Sequence, residues 1–189
     1  MPAQMNLLID QNDIPDGSIP SLVLVACAKS KCDFPAPAQD LYTSSLFQKS
    51  RRFADLLIQS GRADAWLVLS AKHGLLKPWR RIDPYDETLR EFDDERTYWW
   101  SRRVTTQLPR HLNAESMPVA PKKIEVTILG GRAYREPLVK LWFDSVYKNT
   151  TPNRIHCPFD GMPGNGRMMQ WLDEMNSMLN QYEPSSSYA

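Results

Sequence analysis

Short aliphatic and β-branched runs alternate along the chain with longer stretches whose apolar residues recur every three or four positions. That is the order expected of a parallel sheet covered by helices. Leu22-Val-Leu-Val-Ala26 is continuously apolar and suits a central strand buried on both faces. Leu46, Phe47, Ser50, Phe53, Ala54, Leu57 and Ile58 then share one helical face, with Lys49, Arg51, Arg52 and Asp55 elsewhere and Gly61 as a stop. Residues 65–69 predict a second strand. Leu89, Phe92, Trp99, Trp100, Val104 and Leu108 predict a long helix ending near residues 109–113. Residues 123–129 read as a third strand, followed by a helix carrying Leu138, Leu141, Trp142 and Val146, in which Pro137 fits only within the first turn. Residues 154–156 give a short fourth strand, and Met168, Trp171, Leu172, Met175 and Leu179 a final amphipathic helix.

The pattern predicts an α/β fold, a single three-layer domain over residues 21–183 with a short, mainly parallel four-stranded sheet flanked by helices. Residues 1–20, with three aspartates and no Lys or Arg, read as an N-terminal arm, and residues 184–189 as a polar tail. No internal repeat or dividing linker is visible. In such sheets ligands bind beyond the carboxyl ends of the strands, so the loops after residues 27, 70, 129 and 157 are expected to converge.

Composition narrows the function. The chain has 189 residues, 42% apolar and 24% charged, as in ordinary globular domains. No run approaches the roughly 18 apolar residues of a membrane span, and no basic flank precedes an apolar N-terminal stretch, so no membrane partner is expected. Cys27, Cys32 and Cys157 are too few and too irregularly spaced for a disulfide framework or a paired-Cys zinc site, which makes a reducing cytoplasm the expected location. With 23 Lys and Arg against 22 Asp and Glu, the net charge of +1 excludes binding of nucleic acid by bulk charge. Any such contact must come from a local basic arrangement.

The loops carry the chemistry. Cys27-Ala-Lys-Ser-Lys-Cys32 offers Lys29, Ser30 and Lys31 to a phosphate, or is a solvated turn; it is neither a Walker loop nor a dinucleotide fingerprint. Asp40 and Tyr42 follow, and Asp40 either favours a helix start or enters the cleft. Ser70-Ala-Lys-His-Gly74 puts a hydroxyl, the Lys72 ammonium and the His73 imidazole at a strand end, where histidine can polarise a carbonyl or donate to a leaving group. The stretch 82–88 is the most acidic part of this face: Asp83, Asp86 or Glu87 projecting into a pocket could stabilise an electron-poor sugar carbon and orient water. The alternative is a turn constrained by Pro84. Gly131 lets a ligand approach the backbone, and Arg132 can hold phosphate in a forked geometry. The Gly-rich stretch from Cys157 to Arg167 carries Phe159, either a stacking surface or a core residue, and Asp160.

Taken together, residues 24–31 (LVACAKSK), 35–47 (PAPAQDLYTSSLF), 69–76 (LSAKHGLL) and Ile82-Asp-Pro-Tyr85 resemble an uncharacterised bacterial and phage family with the pattern LVACSKSK, DLYTSxLF, LSAKHGLL, PY. Position 28 is Ala where that pattern has Ser or Thr, so no hydroxyl role exists there. Residues 26–30 and 69–85 are also similar to motifs of the YaaA stress proteins, with His73 in place of their Tyr; that similarity implies DNA binding during oxidative stress. Asp83-Pro84-Tyr85 resembles the Asp-Pro-Tyr stretch of the water-activating motif in uracil-DNA-glycosylase-like folds, although it follows the second predicted strand rather than the first. The whole pattern is similar to anti-phage DNA glycosylases that excise bulky modified cytosines.

These resemblances imply a DNA glycosylase acting on a modified base, with DNA, including modified phage DNA, as partner and no cofactor or metal. Lys29, Lys31 and Arg132 would hold flanking phosphates. Asp40 or Asp83 would stabilise charge on the deoxyribose and align water, and His73 would assist base departure. Ser30, Tyr42, Ser70, Lys72, Tyr85, Gly131, Phe159 and Asp160 complete the expected substrate contacts. A noncatalytic DNA-binding stress protein and an N-glycosidase of free nucleotides are the alternatives.

Overall fold

A computed structural model describes residues 20–112, 124–143, 152 and 154–181. The expected arm and tail, along with Lys123 and Val146, lie outside the described residues, apart from Pro20. The element order is β1 (Ser21–Ala26), β2 (Ala36–Pro37), α1 (Ala38–Leu41), α2 (Ser45–Gln59), β3 (Ala65–Ser70), β4 (Gly74–Leu76), β5 (Arg81–Ile82), a 3-10 turn (Leu89–Glu91), α3 (Asp94–Leu112), β6 (Glu125–Leu129), α4 (Arg132–Phe143), β7 (Arg154–His156) and α5 (Gly164–Asn180).

Five strands form the main sheet in the order β4-β3-β1-β6-β7. The four expected strands are parallel, and β4 adds an antiparallel edge to β3. β4 has three residues, too few to show a period in the sequence. β1 is paired along its length on both sides, Val25 standing opposite Val68 and Leu129. Its continuous apolar run follows from that position, since both of its faces are covered. A separate two-stranded ribbon joins β2 to β5.

The helices form two layers, α2 against α5 and α3 against α4, with the sheet between. In α2 the Ser44 hydroxyl accepts the Phe47 N–H at 3.2 Å, the N-cap bond that starts the helix. Gly61, at φ +70°, ends it in the left-handed conformation that a side chain disfavours. The long helix predicted from Leu89 onward begins instead at Asp94. The Asp93 carboxylate accepts the Arg96 N–H at 2.8 Å and caps it there, which leaves Leu89–Glu91 as a separate turn. Pro109 lies inside the last part of α3.

Pro137 sits in the second turn of α4 rather than the first. Lacking an N–H, it leaves the Ala133 carbonyl without its usual helical donor. Two tryptophans fix this layer. Trp142 Nε1 donates to Thr105 Oγ1 at 2.9 Å, joining α4 to α3, and Trp100 Nε1 donates to the Ser70 carbonyl at 2.9 Å, joining α3 to β3. On the other face, a Lys49–Asp173 ion pair joins α2 to α5.

At the start of β6 the fully buried Glu125 carboxylate accepts from Arg154 at 2.5 Å and contacts His156 Nε2 at 3.2 Å, so its buried charge is partnered. Among the described residues no helix is long and apolar enough to cross a membrane.

Leu24→Ala, emptying a fully buried site in the central strand, is expected to cost about 2–5 kcal/mol. Ser44→Ala removes only the cap and is expected to cost about 1 kcal/mol. Urea unfolding followed by circular dichroism measures both.

Candidate functional site

The chain runs from β1 through α2 to β3, then back across β1 through α3 to β6, and on through α4 to β7. The helices that follow the adjacent parallel strands β1 and β6 therefore lie in opposite layers. Their loops part at the carboxyl edge, and a crevice opens between them. The cleft found there has a volume of about 940 Å³. One part is built by residues 26–30 after β1 and another by residues 129–134 after β6. The close approach depends on Gly130, where a Cβ would lie 3.1 Å from the Ala26 Cβ and 3.2 Å from the Tyr134 Cβ.

Three helix starts border this cleft, through Ser44 to Leu46 of α2, Gly131 to Ala133 of α4 and Asn165 of α5. The first amides of a helix have no acceptor within it and carry the positive end of the helix dipole. Lys29 and Arg132 add cationic side chains. Arg132 is exposed and pairs with Glu136 at 2.8 Å, which holds its guanidinium pKa above the ordinary value. Carboxylates enter from residues 87–91, where Glu87 and Glu91 both line the cleft. Glu87 is half-buried and lies 3.6 Å from Arg96. The cleft thus holds groups that attract an anion beside groups that stabilise positive charge.

A second cluster lies beside it, built on Ser70 at the end of β3. Ser70 Oγ bonds to the Tyr85 hydroxyl at 2.8 Å and accepts the His73 N–H at 3.1 Å; Tyr85 in turn bonds to the Tyr42 hydroxyl at 2.8 Å. The Lys31 ammonium stands 4.4 Å from the centre of the Tyr85 ring and the Lys72 ammonium 5.6 Å, while His73 meets the ring edge-on at 5.4 Å. Gln107 of α3 clamps the turn, accepting from Leu75 N–H at 2.7 Å and donating to the His73 carbonyl at 3.1 Å. Gly74 between them has φ +75°, and a Cβ there would run into the Gln107 side chain.

Cys27 lies between the two regions. Its thiol is 3.1 Å from the Tyr134 hydroxyl and receives the Ala71 N–H at 3.4 Å. Burial, reinforced by this sulfur, pushes the hydroxyls of Tyr42, Tyr85 and Tyr134 well above the ordinary phenol range, so all three stay protonated at neutral pH. Burial lowers the Lys31 ammonium, with Cys27 and Asp86 opposing the shift. Burial also lowers His73, helped by Lys72 and Arg80 and opposed by Glu87.

The sequence-predicted residues divide accordingly. Lys29, Ser30, Gly131 and Arg132 line the cleft, and Phe159 reaches it as a core residue, 2% exposed and packed edge-on against Trp171. Lys31, Tyr42, Ser70, Lys72, His73 and Tyr85 form the adjoining cluster. Four acids are not brought to the cleft. Asp40 is held by Arg51 at 2.7 Å, Asp160 is held by Arg135 at 2.8 Å, and Asp83 and Asp86 are exposed outside the lining. Glu87, one of three acids equivalent by spacing in the stretch 82–88, is the one that lines it. Ser44 and Tyr134 carry no sequence signal of their own, because a capping hydroxyl and a tyrosine in a helix look ordinary. Among the described residues no group of three or more His, Cys, Asp or Glu is gathered so as to hold a metal ion.

Comparison with known proteins adds one finding: the model of a family of unknown function, DUF6884, matches residues 22–174. No curated protein and no solved structure matches the chain.

Because His73 is lowered in the folded protein from its ordinary value of 6.5, the folded protein binds fewer protons at this group than the unfolded chain just below that pH. Its contribution to stability is complete above about pH 6.5 and is lost as the pH falls towards the lowered value. His73→Asn is therefore expected to show a shallower fall in Tm between about pH 7 and pH 5. His111, also lowered by burial, is common to both proteins and cancels in the comparison.

Proposed function

The chain belongs to DUF6884, a family of unknown function, and from the make-up of its own cleft we propose that it hydrolyses the N-glycosidic bond of a modified base in DNA. The substrate is hypermodified cytosine in phage DNA, the product an abasic site, and the setting antiviral defence in the cytoplasm. One observation carries the reading: cationic side chains, helix N-termini and carboxylates share a single cleft at the carboxyl edge of a parallel sheet. Its volume of about 940 Å³ lies in the range of small-molecule sites and suits an extruded nucleotide with a bulky base.

In this mechanism Lys29, Arg132 and the amides at the starts of α2 and α4 hold the phosphates on either side of the extruded nucleotide. Glycosidic cleavage develops positive charge on the sugar, and a nearby carboxylate stabilises it and aligns the attacking water. Glu87 takes that role in place of Asp40 and Asp83, because it lines the cleft and they do not. Ser30, also in the lining, supplies an O–H donor to the departing base. His73 belongs to the adjoining cluster and does not line the cleft, so the mechanism gives it no direct contact with the departing base.

Incubation with DNA containing hypermodified cytosine, with ordinary DNA and with free nucleotides, followed by measurement of released base and abasic sites, tests the proposal. Release from the modified DNA is expected. Glu87→Gln should lower turnover by about 10²–10⁴-fold while sparing DNA affinity. Lys29→Ala and Arg132→Ala should weaken binding and each reduce its salt slope by about one. Binding without release would favour the noncatalytic alternative, release from free nucleotides alone would favour a nucleotide hydrolase, and full turnover by Glu87→Gln would remove that residue from the mechanism.

A further inference from the structure

The first turn of α3 is acidic, with Asp94 and Glu95, yet from Arg96 to Leu112 the helix carries Arg96, Arg102, Arg103 and Arg110 and no carboxylate. Two large aromatic residues stand in the open within that stretch, Tyr98 at 45% exposure and Trp99 at 54%. Their ring centroids are 5.5 Å apart, and the Arg102 guanidinium lies 5.4 Å from the Trp99 centroid and 6.0 Å from that of Tyr98. That is within reach of a cation–π contact. Helical spacing sets Arg96, Trp99 and Arg103 on one ridge. The ridge is tied at both ends to the region already described. Arg96 lies 3.6 Å from Glu87 of the cleft lining, and Arg103 donates to the Lys72 carbonyl at 2.8 Å. Trp99 therefore stands between the cleft rim and the β3–β4 turn.

Asp94 and Glu95 lie one turn before Tyr98 and Trp99, so it is on their C-terminal side, where the rings meet guanidinium groups and no carboxylate follows in the helix, that they suit a polyanion able to present flat rings. Unpaired nucleotides meet both requirements. A duplex keeps its base faces covered in the stack and would offer these rings little beyond phosphate. We propose that the Tyr98–Trp99–Arg102 face of α3 is a stacking platform for single-stranded DNA leading out of the cleft. Bases lie on Trp99 and Tyr98, and the arginines of α3 meet the phosphates. The inference rests on the DNA reading above and deepens it, since it makes the substrate a single strand or an opened duplex.

Fluorescence anisotropy with a labelled oligothymidylate of about 12 nucleotides and a duplex of equal length tests the platform on the full chain. The single strand should bind more tightly. Trp99→Ala should weaken that binding about 5- to 100-fold, with Tyr98→Ala acting in the same direction and Trp99→Phe retaining most of the affinity. Both rings are exposed, and melting curves of the variants report that the fold is kept. Unchanged single-strand affinity in Trp99→Ala, a preference for duplex, or self-association through Trp99 without DNA binding would each overturn the platform. Base release measured on the same proteins separates the two ideas. Trp99-dependent binding of single strands without any base release leaves the platform standing and sinks the glycosylase reading. Excision by Trp99→Ala with an unchanged KM does the reverse.

Discussion

The structure depends on the parallel pairing of β1 with β3 on one side and β6 on the other. With Ala26 opposite Leu69, and Val25 opposite Leu129, the three strands finish at nearly the same level. Every loop that leaves them must begin at one edge. The helix after β1 goes to one layer and the helix after β6 to the other, so the backbone cannot close over the gap between them. The cleft is thus a consequence of strand order, and the same order directs the starts of α2 and α4 towards it. A short sheet whose central strand is buried from Ser21 to Val25 provides the rigidity on which loop chemistry depends.

Ser70 shows how the sheet passes its order to the neighbouring cluster. Its carbonyl accepts from Trp100 and fixes α3, while its hydroxyl fixes both Tyr85 and the His73 backbone. The tyrosines stay neutral because burial penalises the phenolate, so the network consists of hydroxyl groups rather than charges. The Lys31 and Lys72 ammonium groups both lie within cation–π reach of the Tyr85 ring. In a chain with a net charge of only +1, Lys29 and Arg132 meet Glu87 and Glu91 in one cleft, so local arrangement rather than bulk charge sets its field.

Much of the fold was legible in the chain. The apolar run at residues 22–26, the helical face from Leu46 to Ile58 and the strands at 65–69 and 125–129 follow from a period of hydrophobicity long or clean enough to read. The loops were legible as a set, since an α/β order implies a common edge. What escaped detection was short or depended on competing local bonds. β4 has three residues. The start of α3 was decided by the Asp93 cap rather than by apolar spacing, which had pointed to Leu89. Pro137 entered the second turn of α4, where tertiary packing of Leu138 and Trp142 outweighs one missing hydrogen bond.

By itself, then, the sequence determined the α/β order, the buried central strand and the collection of lysines, hydroxyls and acids at strand ends, because these follow from composition and period. Which acid faces the cleft was decided only in three dimensions. Asp40 is paired with Arg51, and Glu87, in the irregular stretch 83–88, lies at the rim near Arg96, contacts between residues whose pairing no local pattern encodes. The open aromatic pair on α3 is of the same kind. A tryptophan reads as apolar wherever it occurs, and only the packing of Trp100 inward against Ser70 leaves Trp99 facing outward.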